Sequence, residues 1–469
     1  MVRGADDDGG GPERSRRRVL RQGLAVGAGA LSGCSLFGDA PDDGASVTPA
    51  PADDAATDAP VETTTGRSGP RDATERTPTG ATPTETRTVT PAPAGGWPVV
   101  QADDAHTGWL PDGAGTDFGV GTPVEPAWSA DLDGAVRGSV TVVGASVYVG
   151  SEAGTVTALS VSGPGSSGGG DPRSPAEGTA VRWTHEAGAA VRATPTVADG
   201  VVYCGDESGA LTALEASDGR ERWSFAVAGD RAGPSAVRSG PVVADGVAYV
   251  GATDGRVYAV DAADGSERWR YDAGGFLGVV APVALADGRV FAGSYAGRLH
   301  AVDADTGREA WHYVGPEGIR TWSGPTVARG VVYAGASPGG IAAVDAFDGT
   351  ERWYRETDGP VFSSPAVADG RVYVGSDGGS VLALDTADGS ERWRHEADGP
   401  VKSSPVVVDG RVHVGSDGGS VLALDADDGS ERWRVALDGR VTCSPAVVDG
   451  RVFVGDAAGT VYALGAAER

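Results

Sequence analysis

Short stretches in which apolar and small residues alternate are separated by polar turn residues throughout the last three quarters of the chain, and the alternation recurs as a unit. The clearest copies run from Ser363 to Trp393 and from Ser403 to Trp433. Asp-Gly and Gly-Gly dipeptides are typical of tight hairpin turns, and period-two alternation is typical of half-buried strands. Each unit is therefore predicted to fold as four short antiparallel strands.

The second clear copy sets the predicted strand bounds. Its turns fall at Asp409-Gly410, Gly418-Gly419 and Asp428-Gly429. The strands are predicted at Val401 to Val408, Arg411 to Ser416, Ser420 to Asp425 and Ser430 to Arg434. No window shows sustained helical periodicity, so essentially no helix is expected after residue 96.

A tryptophan closes the unit eight times, and the period is that of propeller blades. The eight are Trp128, Trp183, Trp223, Trp269, Trp311, Trp353, Trp393 and Trp433, and the last six steps between them are 40, 46, 42, 42, 40 and 40 residues. The final unit ends without a tryptophan, whereas Trp128 precedes the first complete unit. The sequence predicts an all-β, eight-bladed β-propeller with four antiparallel strands per blade, closed when the N-terminal strand that carries Trp128 joins the last blade.

A motif of the form A-x-D-x-x-x-G-x-x-x-W carries a family resemblance. Five full copies begin at Ala259, Ala301, Ala343, Ala383 and Ala423, and a sixth has Glu215 in place of the aspartate. The motif resembles the tryptophan-docking motif of the pyrroloquinoline quinone (PQQ) propeller family, which includes the BamB-like lipoproteins of outer-membrane assembly. The resemblance covers roughly Gly96 to Arg469, and it implies that each tryptophan wedges structurally between its own blade and the next.

The amino terminus indicates export. Arg16 and Arg17 lie in a twin-arginine signal pattern, and Leu31-Ser32-Gly33-Cys34 looks like a lipobox. Residues 1–33 are expected to be a cleaved signal peptide, which leaves Cys34 to carry the lipid that anchors the protein on the outer face of the cell membrane. The alternative is an ordinary cleaved signal followed by an incidental cysteine.

Three further segments are expected downstream of the signal. Residues 35–95 are rich in Thr, Pro and Asp with few large apolar residues, which favours a disordered stalk. Residues 96–126 are expected to form a short pad against the ring, and residues 127–469 the propeller. The Gly/Ser-rich insertion from Ser160 to Ala180 lies between the third and fourth strands of the first blade and is expected to protrude from the face opposite the loops that lead into the innermost strands.

Composition limits the partners and the environment. Thirty-eight Lys and Arg residues stand against 65 Asp and Glu residues, a net charge of −27, and Lys402 is the one lysine. Such an acidic surface argues against nucleic acid and resembles proteins of salt-loving cells. Cys204 and Cys443 are expected to be buried and unpaired, and no metal-ligand spacing is found.

One position breaks the repeat in an informative way. It lies three residues before the proline that precedes each innermost strand, where the units align Arg137, Arg192, Arg238, Val279, Trp322, Phe362, Lys402 and Thr442. Four cations and two aromatic residues at one rim of the channel could bind an anionic or aromatic ligand or a partner's acidic loop. The alternative is internal pairing with acidic residues on loops of the same face, namely Glu152, Glu207, Asp254, Asp377 and Asp417.

Two functions compete. The resemblance allows a PQQ-dependent dehydrogenase or electron-transfer protein, but the chain has no asparagine for calcium and no adjacent cysteine pair, two features that the dehydrogenases of this family use. We therefore favour a monomeric, non-catalytic scaffold without a cofactor that binds other cell-surface proteins or an anionic ligand.

Overall fold

A computed structural model describes residues 96–97, 123–164, 180–227, 235–275, 278–316 and 319–467. Every regular element in these ranges is a β-strand, and the strands form eight antiparallel sheets. The predicted all-β, eight-bladed propeller is confirmed. In the same ranges no helix is long and apolar enough to cross a bilayer.

The first four blades follow two N-terminal strands, β1 (Gly96–Trp97) and β2 (Val124–Asp131). Blade 1 contains β3 (Thr141–Val143), β4 (Ser146–Gly150), β5 (Thr155–Ser160) and β6 (Val181–Glu186). Blade 2 contains β7 (Thr196–Ala198), β8 (Val201–Gly205), β9 (Ala210–Glu215) and β10 (Glu221–Ala226). Blade 3 contains β11 (Val242–Ala244), β12 (Val247–Gly251), β13 (Arg256–Asp261) and β14 (Glu267–Asp272). Blade 4 contains β15 (Ala284–Ala286), β16 (Arg289–Gly293), β17 (Arg298–Asp303) and β18 (Glu309–Val314).

The other four blades complete the ring. Blade 5 contains β19 (Thr321–Trp322), β20 (Thr326–Ala328), β21 (Val331–Ser337), β22 (Gly340–Asp345) and β23 (Glu351–Arg355). Blade 6 contains β24 (Ala366–Ala368), β25 (Arg371–Gly375), β26 (Ser380–Asp385) and β27 (Glu391–Glu396). Blade 7 contains β28 (Val406–Val408), β29 (Arg411–Gly415), β30 (Ser420–Asp425) and β31 (Glu431–Ala436). Blade 8 contains β32 (Ala446–Val448), β33 (Arg451–Gly455) and β34 (Thr460–Ala466), and β2 is its outermost strand.

The ring closes as predicted, because β2 pairs antiparallel with β34 and places Trp128 opposite Ala463. A second link joins the blades near the axis, where the backbone N–H of Ser444 donates to Ser139 Oγ at 2.9 Å. The innermost strands contact their neighbours around the ring, including β3 with both β32 and β7. These strands therefore line a central channel, and β1 pairs with β3 on the channel side.

Hairpin chemistry explains the inner turns of the blades. In blades 2 to 8, two consecutive residues with positive φ connect the first and second strands, as in Asp409 (φ 48°) and Gly410 (φ 66°). Both angles are those that a two-residue hairpin turn requires, and Asp tolerates them better than most residues do. The Asp-Gly prediction therefore identified the turns correctly in most blades, and Arg329 takes the aspartate's place in blade 5.

The innermost strand is shorter than the sequence predicted, since β28 begins at Val406 rather than Val401. The preceding residues send their hydrogen bonds to neighbouring blades. Val401 N–H donates to the Ser376 carbonyl at 2.9 Å, and Ser404 N–H donates to Ser444 Oγ at 3.0 Å. This segment thus links blade 7 to blades 6 and 8 by hydrogen bonds instead of extending the innermost strand of blade 7.

The hydrophobic core lies between blades. One cluster joins Tyr333 and Trp353 of blade 5 to Val372 and Leu382 of blade 6, and the other blade pairs have equivalent clusters. Seven of the eight indole N–H groups donate to a carbonyl of the next blade at 2.8 to 3.1 Å, in the pairs Trp128–Val161, Trp183–Ala216, Trp223–Ala262, Trp269–Ala304, Trp311–Ala346, Trp353–Thr386 and Trp393–Ala426. The blades are therefore joined by repeated indole contacts, which we call the seam.

The glycine and aspartate of the repeated motif serve this seam. Gly389 has φ +70°, and a Cβ there would lie 2.7 Å from the Trp353 ring of the preceding blade. Asp385 accepts the N–H of Ala387 and pairs with Arg392, and this ion pair lowers the pKa of Asp385. The aspartate thus shapes the turn that presents a carbonyl and a glycine to the indole.

Several sequence predictions lie outside the described residues. They are the signal with Arg16 and Arg17, the lipid site Cys34, the stalk, most of the pad and most of the insertion. The described end of the pad, Val124–Pro126, already belongs to β2. Cys204 and Cys443 are both buried and form no disulfide in the described part of the chain, as predicted.

Candidate functional site

The residues before each innermost strand and the loops between second and third strands meet at one end of the channel, which we call the channel mouth. Backbone hydrogen bonds fix this meeting in blades 1 to 4 and 6 to 8, because the segment of one blade pairs with the loop of the blade before it. In blade 2, for example, Val191 N–H donates to the Ser151 carbonyl of blade 1 at 2.9 Å. Side chains on the two elements therefore alternate around the mouth.

Three arginines and two glutamates alternate along blades 1 to 3. Glu152 Oε1 lies 3.4 Å from Arg137 Nε and 3.0 Å from Arg192 Nε. Glu207 lies 3.6 Å from Arg192 and receives two hydrogen bonds of 2.7 Å from Arg238. The side chains are 8 to 25% exposed, so these ion pairs are sheltered from bulk water. We call this row the basic arc, because it begins and ends on arginine.

A second charged row lies in blades 6 and 7. Lys402 Nζ donates to Asp417 Oδ2 at 2.9 Å and lies 3.7 Å from Asp377 Oδ1. Burial raises the pKa of Asp377, Lys402 opposes that rise, and the Asp417 carboxylate adds to it. We call this row the acidic arc, because it begins and ends on aspartate. The internal pairing that the sequence left open is therefore present at both arcs.

From blade 4 to blade 6, the ring positions of the mouth carry apolar or aromatic residues. Phe362 occupies the ring position of blade 6 and is buried. The backbone of Trp322 lies in β19 at the ring position of blade 5. Tyr295 occupies the loop position of blade 4, where burial raises its pKa while the charge of Arg238 acts in the opposite direction. Sequence reasoning missed this tyrosine because only charged residues were sought on the loops.

Two sequence assignments at the mouth were wrong. Val279 is not at the ring position, because its N–H donates to the Ala252 carbonyl as Val237 does to Asp206, which moves Val280 into line with Arg238. The segment is one residue shorter in blade 4, so counting back from the proline misplaces it. Asp254 does not neutralise the ring cations either.

The Asp254 carboxylate is directed into its own blade instead. Its Oδ2 accepts from the Tyr258 hydroxyl and lies 3.4 Å from Arg256 Nη1. Thr253 occupies the loop position of blade 3, where its Oγ1 accepts the Ala236 N–H at 2.7 Å. Asp254 lies one residue further along the loop, which turns its side chain away from the ring of cations.

The donor set of the mouth does not fit a calcium-bound quinone. Calcium takes six to eight oxygen ligands, whereas the carboxylates here are each engaged by an arginine or lysine. The chain contains no asparagine, and its two described cysteines, Cys204 and Cys443, are separately buried. In the described residues no group of three or more His, Cys, Asp or Glu is placed to hold a metal ion. We derive no reaction step through such a cofactor.

Solved structures with the same fold include BamB, a quinohemoprotein alcohol dehydrogenase and a designed protein. BamB from Moraxella catarrhalis is 22% identical, with a TM-score of 0.59 over 73% of this chain and 98% of that one. The quinohemoprotein alcohol dehydrogenase from Comamonas testosteroni is 17% identical, with a TM-score of 0.67 over 80% of this chain and 81% of that one. A computationally designed protein, Ika8, is 18% identical, with a TM-score of 0.58 over 72% of this chain and 98% of its own. These identities establish a shared fold.

Family membership comes from the sequence itself. No curated protein matches the chain. A family model described as outer membrane protein assembly factor BamB matches residues 174–314, 226–361, 317–402 and 399–469, which together span more than half of the chain. The chain belongs to the family described as outer membrane protein assembly factor BamB.

Proposed function

We propose that this protein is a non-catalytic, lipid-anchored scaffold on the outer face of the cell membrane, where it binds other cell-surface proteins through the channel mouth. The observation that supports it best is the mouth itself. Its ring positions, unlike the seam, differ from blade to blade and carry partly exposed charges: the side chains of Arg192 and Glu152 are 15% and 25% exposed. Charges at a desolvated rim favour selective recognition and fast association.

Family membership supports a binding role. The matching model takes its description from an assembly factor, and the described part of the propeller has no donor set suited to a calcium-bound quinone. We assign six residues to partner binding, namely Arg137, Arg192, Arg238, Trp322, Phe362 and Lys402. A partner or ligand with a carboxylate or another anionic group would compete with Glu152 and Glu207 for the arginines.

Crosslinking on intact cells tests the scaffold role. We expect the wild-type protein to be recovered with a small set of surface proteins, and Arg192→Glu with Arg238→Glu to lose them. Arg268→Glu is a matched control, because Arg268 forms a more exposed ion pair with Asp261 on the outer part of blade 3. Partners retained by the double variant would exclude the mouth, provided that its melting curve shows a folded protein.

An enzymatic role deserves its own test because a quinohemoprotein alcohol dehydrogenase shares the fold. Purified protein is mixed with PQQ and calcium, and absorbance and dye-linked alcohol oxidation are recorded. We expect neither a bound-quinone spectrum nor turnover. Sustained turnover would refute the non-catalytic role.

Export and anchoring rest on the amino-terminal pattern. Replacing Cys34 with alanine should release the protein from membranes, and replacing Arg16 and Arg17 with lysine should block export. Retention of the Cys34→Ala protein in washed membranes would exclude the lipid anchor.

We further propose that the protein works in a saline environment, and the net charge of −27 supports this. High salt screens the self-repulsion of such a surface. The melting temperature should fall on dialysis to low salt, and a melting curve indifferent to salt would contradict adaptation to salt.

A further inference from the structure

The acidic arc differs from the basic arc in how completely its carboxylates are neutralised. Around the mouth, each loop carboxylate lies between the ring position of its own blade and that of the next. Glu152 pairs with both Arg137 and Arg192, and Glu207 pairs with both Arg192 and Arg238. Each glutamate of the basic arc therefore has a cation on both sides.

The same alternation of ring and loop positions leaves each aspartate of the acidic arc with a cation on one side only. Asp377 lies between Phe362 and Lys402, and Asp417 lies between Lys402 and Thr442. One ammonium thus serves two carboxylates. Phenylalanine and threonine bring no positive charge to the outer side of either aspartate, so the arc keeps an excess of negative charge.

Unpaired polar atoms occur within the acidic arc, where Asp377 Oδ1 is the oxygen 3.7 Å from Lys402 Nζ, and at the neighbouring ring position of Thr442. Asp377 Oδ1, Asp417 Oδ1 and the Thr442 hydroxyl are buried and have no hydrogen-bond partner among the described residues. Thr442 is only 2% exposed. A buried polar atom without a partner costs about 1 to 3 kcal/mol, and most such atoms in folded proteins are satisfied by protein, water or ligand. The threonine hydroxyl is independent of the acidic pair, and it indicates that this sector can accept one more polar group.

We propose that the acidic arc receives the ammonium or guanidinium group of a basic side chain on a partner protein, so that the mouth recognises an extended segment carrying both an acidic and a basic residue. This inference rests on the proposed scaffold function and names the chemistry of its partner. The acidic residue of the segment pairs with the basic arc, and the basic residue donates to Asp377 or Asp417.

A side chain fits this sector better than a metal ion does. The ammonium of Lys402 already lies between the two carboxylates, 2.9 Å from Asp417 and 3.7 Å from Asp377, and would repel a second cation centred there. A lysine or arginine head group can instead approach from the outer side and donate directional hydrogen bonds to one carboxylate.

A peptide array tests the charge pattern. Purified full-length protein is applied to an array of random twelve-residue peptides, and bound peptides are sorted by the number of acidic and basic residues. We expect bound peptides to carry at least one residue of each sign. Binders that carry acidic residues alone, or an array without binders above its uncharged controls, would overturn the inference.

Two variants then test the contribution of each arc separately. Binding of the best mixed-charge peptide is measured by fluorescence anisotropy. Asp377→Asn should weaken binding by about tenfold and should leave binding of the same peptide with its basic residues changed to glutamine unaffected. Arg238→Gln should weaken both peptides. Asp261→Asn on the outer part of blade 3 is the matched control, because it removes a carboxylate of a more exposed ion pair. Wild-type affinity in the folded Asp377→Asn protein and in a folded Asp417→Asn protein would contradict the assignment.

Failure of this inference is distinguishable from failure of the proposed function. Turnover with PQQ and calcium would refute the non-catalytic role whatever the array shows. If the set of crosslinked partners is intact but the array binders carry acidic residues alone, the scaffold role stands. Only the inference that the partner contributes a basic residue is then refuted.

Discussion

The seam between blades and the channel mouth follow opposite rules in one repeat. At the seam, seven indoles donate to carbonyls of the next blade at nearly the same distance, 2.8 to 3.1 Å. At the mouth, the eight equivalent ring positions hold Arg137, Arg192, Arg238, Val280, Trp322, Phe362, Lys402 and Thr442. A blade cannot bury its faces alone, so the seam is constrained to repeat. The mouth is free to vary, and variation is what selective recognition needs.

The largest effect should come from removing a seam tryptophan. Trp393 is 8% exposed and donates to the Ala426 carbonyl of blade 7 at 3.0 Å. Trp393→Ala leaves a cavity and removes one of the two side-chain hydrogen bonds that the Ala426 carbonyl accepts, and we expect a loss of about 3 to 5 kcal/mol in the free energy of unfolding. Denaturant melts measure it. Phe347→Ala is the control, because Phe347 is 78% exposed, and equal losses in the two variants would refute the seam's role.

At the mouth, loss of the lysine should cost nearly as much. Lys402→Met leaves Asp377 and Asp417 facing each other without a cation, and unpairing buried charges costs about 3 kcal/mol. Because both carboxylates then favour protonation, the loss should shrink as the pH falls. The control is Arg352→Met, whose ion pair with Asp345 is 46% and 28% exposed and is worth about 1 kcal/mol or less. A Lys402→Met protein as stable as the control would show that the pair is not sheltered.

A matched pair of glycines sharpens the account of the seam. Gly389 and Gly410 both have positive φ, +70° and +66°, but only Gly389 faces an indole. Both alanine substitutions carry the backbone strain of about 1 to 2 kcal/mol, and Gly389→Ala adds about 1 to 3 kcal/mol of overpacking against Trp353. Equal unfolding free energies in the two variants would mean that the turn conformation alone, and not indole docking, requires this glycine.

The sequence predicted the seam well and the mouth only in part. Trp128 could be assigned to the last blade because each blade's pattern is complete in the sequence except at the two ends. Its docking partner Gly163 was missed, because the motif is one residue shorter there, and only the structure shows a Cβ at Gly163 falling 2.5 Å from that indole. Such contacts can be predicted from the sequence where the motif repeats with constant spacing, and they are missed where one copy is shorter.

At the mouth, the ring cations and four of their five proposed acidic partners could be found by alignment, but the fifth, Asp254, was wrong. Asp254 and Thr253 are neighbours in the sequence, and which of them faces the ring depends on how the loop turns. The one-residue deletion before β15 likewise moved Val280 into the place assigned to Val279. Local pattern does not determine loop geometry, so side-chain direction in loops required the structure.

His413, deep in the core, also departs from the repeat, and it makes the stability of the protein depend on pH. The second strand of each blade carries an aromatic residue beside the tryptophan: Tyr148, Tyr203, Tyr249, Phe291, Tyr333, Tyr373 and Phe453, with His413 in blade 7. Tyr373 donates its hydroxyl to the Ala426 carbonyl at 3.2 Å. Both ring nitrogens of His413, which is fully buried, lack a hydrogen-bond partner among the described residues. Burial lowers the pKa of His413 to about 3 from 6.5.

Replacing His413 should therefore change acid stability and spare stability at neutral pH. Between pH 6.5 and about 3 the unfolded chain binds a proton that the folded protein refuses, so stability falls as the pH falls, by about 1.4 kcal/mol per pH unit for this group. His413→Phe removes that contribution and keeps a ring of the kind found at Phe291 and Phe453. At pH 5 the variant should lose about 2 kcal/mol less than the wild type does relative to pH 7.5. Denaturant melts at both pH values measure this difference, and parallel losses in the two proteins would mean that the imidazole already takes up a proton in the folded state.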